Sequence, residues 1–406
     1  MVDLSVNFAG LELKNPLVVA SSDCVCDLAQ IRRAEACGAS AVILKAVFPP
    51  RSLALQSKLR IFIDAKERAL HGGAGARRLS HEEGIELMKA AKKETRIRIG
   101  ANIPFFKPED ADFAGKLATS MADAGADFIE VNMTPQLPTH VGIMQTADEF
   151  KAEPQAEWKR AGKLLSEMPS MTFEATRIIK QAVDIPVVTK VTPEGVDVVA
   201  VAMAVASAGG DGIDAIDSMG GAFKVDIFDG GKPKIPGARN SVLRVSGAPM
   251  KPYAQGIVAR IAKAVRIPVM GTGGLMNWTD VVEMIMFGAT TVSFCALLMI
   301  RGFEALVRIE RKLRIFMEEE DYKHVDDYRG LALKYVAPST LDCDVIPCVA
   351  RIDKEQCTGC RICLRPAHCL AITMENEVAV VNEAECLGCG TCSLLCPANA
   401  IAMIET

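Results

Sequence analysis

The sequence has little aromatic content, 5% of 406 residues, and no excess of positive charge. Its formal net charge of −4 offers no electrostatic footprint for nucleic acid. It also lacks a long apolar run. The most apolar stretch, Met284–Ile300, is broken by Gly288, Thr290, Thr291 and Ser293. That is too short and too polar for a membrane span, and it reads as a helix end, a turn and a buried strand. Met1-Val2-Asp3-Leu4 shows neither the basic nor the apolar part of an export signal. Disulfides need an oxidising compartment and are therefore not expected. The chain reads as soluble and cytoplasmic. Its abundant Ala, Val, Ile and Gly suit α/β architecture.

Cysteine, by contrast, is plentiful: 14 residues, eight of them within the last 50 positions. One group reads Cys386-x2-Cys389-x2-Cys392-x3-Cys396-Pro397, the run by which bacterial two-cluster ferredoxins hold [4Fe-4S] cubanes. The other reads Cys357-x2-Cys360-x2-Cys363, with its fourth cysteine displaced to Cys369. In two-cluster ferredoxins each run lends its last cysteine to the other cluster. A zinc ribbon uses four ligands in two pairs and leaves no role for a third cysteine per group. The spans Cys363–Ile372 and Cys392–Ile401 have equal length, so the first run carries no net insertion. Its fourth ligand has moved two places along, past Pro366. A three-iron cluster or a rearranged loop remains open there. Cys343 and Cys348, upstream, fit no cluster spacing and read as structural thiols.

From about residue 16 to residue 320, short β-branched runs alternate with amphipathic helical stretches. Strands are expected at Leu17–Ala20, Ala41–Leu44, Ile97–Ala101, Phe128–Val131, Pro186–Lys190, Gly212–Ile216, Ile267–Gly271 and Thr291–Phe294. They are nearly continuous apolar, as parallel strands buried on both faces should be. Eight such units predict an α/β (β/α)8 TIM barrel, with a doubly wound sheet as the alternative. Leu4–Phe8 and Leu11–Leu13 predict a hairpin under the barrel. Thr134–Pro169, with Pro135, Pro138 and Pro154, is too long for an ordinary connection and reads as a lid or binding loop. Val225–Val245 reads as irregular, and the segment around His71-Gly72-Gly73 as a plain loop. The expected division is a barrel over 1–335, a linker over 336–350 and an α+β ferredoxin-like domain over 351–406.

Barrel enzymes carry their sites at the C-terminal ends of the strands. Those ends are Ala20-Ser21-Ser22, Lys45, Asn102, Asn132, Lys190, Asp217-Ser218, Gly271-Thr272-Gly273-Gly274 and Cys295. The glycine turn leads into a helix near Trp278, where free N–H groups and the helix dipole can hold a phosphate. Beside a cluster domain, this points to a phosphate-bearing redox cofactor. FMN fits best, since a flavin exchanges hydride with a substrate and single electrons with iron–sulfur clusters. The Gly273-Gly274 turn stands outside any isolated βαβ unit with a following acidic residue, so no dinucleotide site is expected on this chain.

These motifs bring the chain close to a family. Asn15-Pro16 through Ser22, Leu44-Lys45, Gly125-Ala126-Asp127-Phe128-Ile129-Glu130-Val131-Asn132, Thr189-Lys190-Val191-Thr192-Pro193, Ser246-Gly247-Ala248-Pro249-Met250-Lys251-Pro252 and Gly271–Gly274 before Trp278 follow a recognisable order. In that order, and with the ferredoxin tail, the chain resembles the FMN and iron–sulfur subunits of bacterial NAD-dependent dihydropyrimidine dehydrogenases. The barrel is similar to dihydroorotate dehydrogenases. The resemblance implies that Lys45 and Lys190 contact the isoalloxazine, and that Ala20, Ser21 and Asn102 approach the ring. It implies that Gly247, Gly273 and Gly274 hold the phosphate. Asn132 and Cys295 complete the expected cofactor-facing set.

Two departures stand out. The family's loop after the fourth strand runs Asn-x-Ser-Cys-Pro, its cysteine (serine in some relatives) serving as general acid or base. Here Asn132-Met133-Thr134-Pro135 has neither. Thr134 is a poor proton donor near neutral pH, and His140 is the only histidine of that loop. Asn132, Thr134 and His140 are thus the catalytic candidates. Pyrimidine-reducing members read their substrate with Asn-Thr at the end of the sixth strand, where this chain has Asp217-Ser218.

The expectation is an oxidoreductase acting on CH–CH bonds, reducing a polarised C=C bond with electrons relayed through two [4Fe-4S] clusters. A separate FAD- and NAD(P)H-binding subunit, or another iron–sulfur partner, would supply them within an oligomeric complex. The alternative is an electron-relay subunit of a larger redox complex, without an organic substrate of its own.

Overall fold

The computed structural model describes residues 2–48, 61–64, 66–72, 79–105, 111–133, 168–193, 197–222, 224–234, 242–337 and 346–406. The chain divides into two compact units, Met1–Val336 and Ala337–Thr406.

The first unit is a closed barrel of eight strands. In chain order these are β1 (Leu17–Val19), β2 (Ala41–Ile43), β3 (Arg98–Pro104), β4 (Phe128–Asn132), β5 (Val187–Val191), β6 (Gly212–Ala215), β7 (Val269–Thr272) and β8 (Thr291–Phe294). Every neighbouring pair is parallel, and β8 closes onto β1. All eight expected strands form, within a residue or two at most ends, because each is an apolar run with no outward polar face. The exception in length is β3. It continues to Pro104, so Asn102 stands inside the strand rather than at its end.

The helices start where local chemistry says they should. Asp27 caps Leu28–Ala36, Ser80 and Glu83 form a capping box on His81–Glu94, and Asn277 with Asp280 does so on Trp278–Met286. Thr176 on the helix Met168–Ala182 and Thr189 on β5 share a buried hydroxyl contact of 2.9 Å, which fixes the even-numbered β5 residues toward the interior. Beneath the barrel, the expected hairpin pairs Val6–Phe8 with Leu11–Leu13. Its Phe8 ring is 1% exposed, and a Cβ on Gly212 of β6 would approach that ring at 3.1 Å. Burial of one such ring stabilises by about 1.5–3 kcal/mol. The Met284–Ile300 run resolves into the end of a helix, the buried strand β8 and the helix Ala296–Arg301. No helix among the described residues is long and apolar enough to cross a membrane.

The described parts of two stretches read as irregular include paired strands. Ile61–Asp64, Ala69–Gly72, Val242–Gly247 and Met219–Ala222 make a four-stranded antiparallel sheet in the order 219–222, 242–247, 69–72, 61–64. His71 therefore belongs to a paired strand, not to a plain loop. Each of the four is too short to announce itself, and the pairing joins segments about 170 residues apart. The strands follow β2 and β6, so the sheet belongs to the face carrying the strand ends. The expected lid, from Thr134 to residue 167, lies outside the described residues.

The second unit pairs Cys348–Ile352 with Ile401–Glu405 and Ile372–Glu375 with Val378–Val381, both antiparallel. Its first strand begins within the stretch expected to be a linker. A small core of Ala350, Cys363, Ile372, Ala379, Cys392 and Ile401 draws on both strand pairs and both cysteine loops.

Candidate functional site

One continuous row of polar side chains runs around the barrel interior from β3 to β8. Asn132 donates to Asn102 Oδ1 at 3.5 Å, and Asn102 Nδ2 donates to Glu130 Oε2 at 2.7 Å. Lys190 Nζ lies 3.8 Å from Glu130 Oε1 and 2.6 Å from Asp214 Oδ2. Thr272 donates to the other Asp214 oxygen and meets Ser293 Oγ at 2.5 Å. Asn102, Glu130, Asp214 and Ser293 are all at most 2% exposed, and Lys190 is 5%. Such groups are buried only when paired. Burial works against the charge of Lys190, but Asp214 and Glu130 outweigh it and hold the ammonium firmly protonated. Burial raises the carboxyl of Glu130 well above the ordinary range, Lys190 opposing and Asp214 reinforcing the shift. Its Oε1 has no hydrogen-bond partner.

The remaining expected residues gather around this row. Ala20 donates its N–H to Phe294 O at 3.0 Å, joining β1 to β8. Ser21 Oγ donates to Leu44 O at 2.8 Å, and Lys45 Nζ lies 3.7 Å from Asp23 Oδ1. Burial pushes the Cys295 thiol up to about 12, with Cys24, Lys45, Asp217 and Asp23 close enough to act on it. The ends of β1, β2, β6 and β8 therefore converge.

The glycines form a tight cradle. Gly247, Gly273 and Gly274 have φ of 93°, 119° and 81°, a region open chiefly to glycine. A Cβ at Gly274 would fall 2.2 Å from Lys251 N, the first residue of the helix Lys251–Ala264; one at Gly247 would fall 2.4 Å from Arg68 O. Turns with no side chain to spare, beside helix N-termini, suit a phosphate. Lys190, near the end of β5, is a buried cation of the kind that suits the pyrimidine edge of a flavin. The residues present fit that cofactor.

Asp217 and Ser218 follow β6. Asp217 Oδ1 accepts from Ser218 N at 2.5 Å and from Ser218 Oγ at 3.0 Å. Arg244, from the antiparallel sheet, donates Nε to Ser218 Oγ at 3.2 Å and Nη2 to Ser218 O. Sequence reasoning missed Arg244, since it sits in a segment read as irregular and no local motif marks it. Thr134 and His140 lie outside the described residues.

The two cysteine loops of the second unit share one backbone path. Gly359 and Gly388, each just before the second cysteine, have φ of 66° and 65°; Arg361 and Gly390, just after it, have 60° and 73°. A Cβ on Gly359 would meet Glu377 O, and one on Gly388 would meet Cys348 O, each at 2.5 Å. The second cysteine is exposed and the third buried in both loops. Cys369, Cys386, Cys389 and Cys392 line one cavity with Cys363 and Pro366. Ala350 N donates to Cys386 Sγ at 3.4 Å and Ala400 N to Cys396 Sγ at 3.3 Å; such donors suit thiolate ligands. Cys348 sits beside this loop, its thiol 3.3 Å from Gly388 O. Among the described residues no three thiol, imidazole or carboxylate groups converge tightly enough for a single metal ion.

Comparison with known proteins agrees with both units. Residues 3–317 match the dihydroorotate dehydrogenase family and residues 379–402 match a 4Fe-4S binding domain. The catalytic subunit of dihydroorotate dehydrogenase B (NAD(+)) from Methanothermobacter thermautotrophicus is 29% identical over 331 residues, 81% of this chain and 98% of its own. That of Pyrococcus abyssi is 28% identical over 335 residues, 82% of this chain and 99% of its own. The NAD-dependent dihydropyrimidine dehydrogenase subunit PreA of Escherichia coli is 23% identical over 372 residues, 89% of this chain and 84% of its own.

Proposed function

The chain belongs to the dihydroorotate dehydrogenase family, and from that premise we propose how its two units work together. It is an FMN- and iron–sulfur-dependent oxidoreductase subunit of dihydropyrimidine dehydrogenase type, acting on CH–CH bonds. The observation that carries this reading is the buried Lys190 row at the barrel mouth, in one chain with two cysteine loops of common backbone path. FMN, when bound, supplies hydride chemistry toward a substrate and single-electron exchange with clusters.

Lys45 and Lys190 would hold the pyrimidine edge of the ring, Ala20, Ser21, Asn102, Asn132 and Cys295 would border the cofactor, and Gly247, Gly273 and Gly274 would enclose the ribityl phosphate end. Asp217 and Ser218, with Arg244 behind them, would meet the substrate. The carboxylate of Asp217 accepts hydrogen bonds and, when ionised, donates none, so a substrate ring is selected for N–H donors there. A substrate carbon must also gain a proton, and Thr134 or His140 would carry it.

The ligand set of the second unit is two [4Fe-4S] clusters. Cys386, Cys389 and Cys392 would bind one with Cys369; Cys357, Cys360 and Cys363 would bind the other with Cys396. This exchange of last cysteines follows the ferredoxin pattern, and the cavity shared by Cys369 with the second run supports a complete cube there. With no dinucleotide fingerprint on the chain, electrons would come from a separate cytoplasmic FAD- and NAD(P)H-binding subunit.

The test is anaerobic purification with natural partners, metal and flavin analysis, and assays with uracil, thymine and dihydroorotate. FMN with about eight irons per chain, and turnover of one of these rings, is the expected result. Zinc without acid-labile sulfide would overturn the cluster assignment. Electron transfer to partners without turnover of any such substrate would favour the relay reading, which the absence of cysteine in the loop after β4 already recommends.

A further inference from the structure

Lys190 is not a free cation. Its ammonium is buried between two acidic side chains, with Asp214 Oδ2 at 2.6 Å and Glu130 Oε1 at 3.8 Å. Asp214 is itself pinned: Thr272 of β7 donates to its second oxygen, and Ser293 of β8 backs Thr272 at 2.5 Å. Registration reinforces this, because Asp214 stands directly opposite Lys190 across the β5–β6 pair. The carboxylate therefore cannot swing aside, and its charge stays against the ammonium.

We propose that Asp214 is a positioning residue that holds the Lys190 ammonium and offsets its charge, so that a bound flavin is less stabilised in its reduced, anionic form. The inference rests on the reading that Lys190 faces the N1/O2 edge of FMN. Negative charge on that edge appears only on reduction, and a nearby cation favours it. A carboxylate a hydrogen bond away from that cation cancels much of its field at longer range. The result is a flavin that gives up electrons more readily. Glu130 lies farther away, at 3.8 Å, and burial keeps its carboxyl protonated toward neutral pH, so it offsets little of the ammonium's charge.

The experiment uses the full-length protein loaded with FMN, equilibrated anaerobically with reference dyes and followed at the flavin band. FMN affinity is measured alongside. Asp214→Asn keeps the shape and the contact with Thr272, and should move the reduction equilibrium toward reduced flavin by about tenfold, which is ~30 mV for a two-electron couple. Glu130→Gln, which replaces a carboxyl held neutral by burial, should leave it nearly unchanged. Lys190→Met should move it in the opposite direction. If Lys190→Met shifts the equilibrium and Asp214→Asn does not, the role given to Asp214 is overturned and the flavin site stands. If Lys190→Met changes neither affinity nor equilibrium, the placement of Lys190 at the flavin is itself wrong. Should Asp214→Asn fail to fold, Asp214→Ser, which also removes the charge, decides, and an unchanged equilibrium in that variant overturns the proposal.

Discussion

The ring of Phe128, at the start of β4, occupies the space where a side chain at Gly100 of β3 would stand. A Cβ added to Gly100 would come 2.4 Å from two of its ring atoms. The two residues are opposite each other in the β3–β4 register, and both face the barrel interior. The barrel is thus filled below its polar row by one large ring against a glycine. That pairing fixes the level at which the polar residues begin.

Gly100→Ala should consequently strain the lower barrel. Overpacking of this kind costs about 1–3 kcal/mol. Urea unfolding should show a lowered midpoint with an unchanged slope, while FMN, bound at the other end, is retained. An unaltered midpoint would mean that the ring has room to move.

The buried carboxyl of Glu130 gives stability a pH dependence of defined sign. Burial raises its folded-state value above the ordinary 4.5, so between the two values the native state binds more proton than the unfolded chain. Stability therefore falls as pH rises above about 4.5 toward that raised value. Glu130→Gln should flatten that part of the profile, measured by denaturant titration at a series of pH values. A wild-type profile that rises through this window would contradict the assignment.

Gly359→Ala and Gly388→Ala each force a Cβ onto a backbone carbonyl, Glu377 O and Cys348 O, at 2.5 Å. Both positions also need positive φ, a strain on the order of 1–3 kcal/mol for other residues. Each variant should lose one cluster, lowering iron from about eight to about four per chain. The flavin spectrum should stay, since the glycines belong to the second unit and the flavin residues to the first. Loss of both chromophores from either variant would show that the units do not fold separately.

The proton donor is open to a direct test. His140→Gln should lower turnover of an unsaturated substrate by roughly 10²-fold or more, the usual scale for one general acid, with flavin reduction intact. Unchanged turnover clears His140. Thr134→Cys provides the tunable thiol that Thr134 cannot replace, and should raise activity on uracil only if Asp217-Ser218 accepts a pyrimidine.

What the sequence determined alone was periodic or local. Eight buried parallel strands announce themselves as apolar runs because both faces are covered, and their order is enough for a barrel. Metal-ligand spacing is likewise local, so the cysteine runs and the glycine turn at residues 271–274 were legible without coordinates. Tertiary structure decided the rest, because it depends on which strands become neighbours. Lys190 was readable as a strand-end lysine, but its pairing with Asp214 and Glu130 arises only when β4, β5 and β6 lie side by side. Asp214 itself looked like an ordinary residue of an apolar strand. The antiparallel sheet that brings Arg244 to Ser218 joins segments far apart in sequence, each too short to carry a period. The displacement of Cys369 left its ligand role open along the chain. Only the folded loop, turning at Pro366, places that cysteine around the same cavity as Cys386, Cys389 and Cys392.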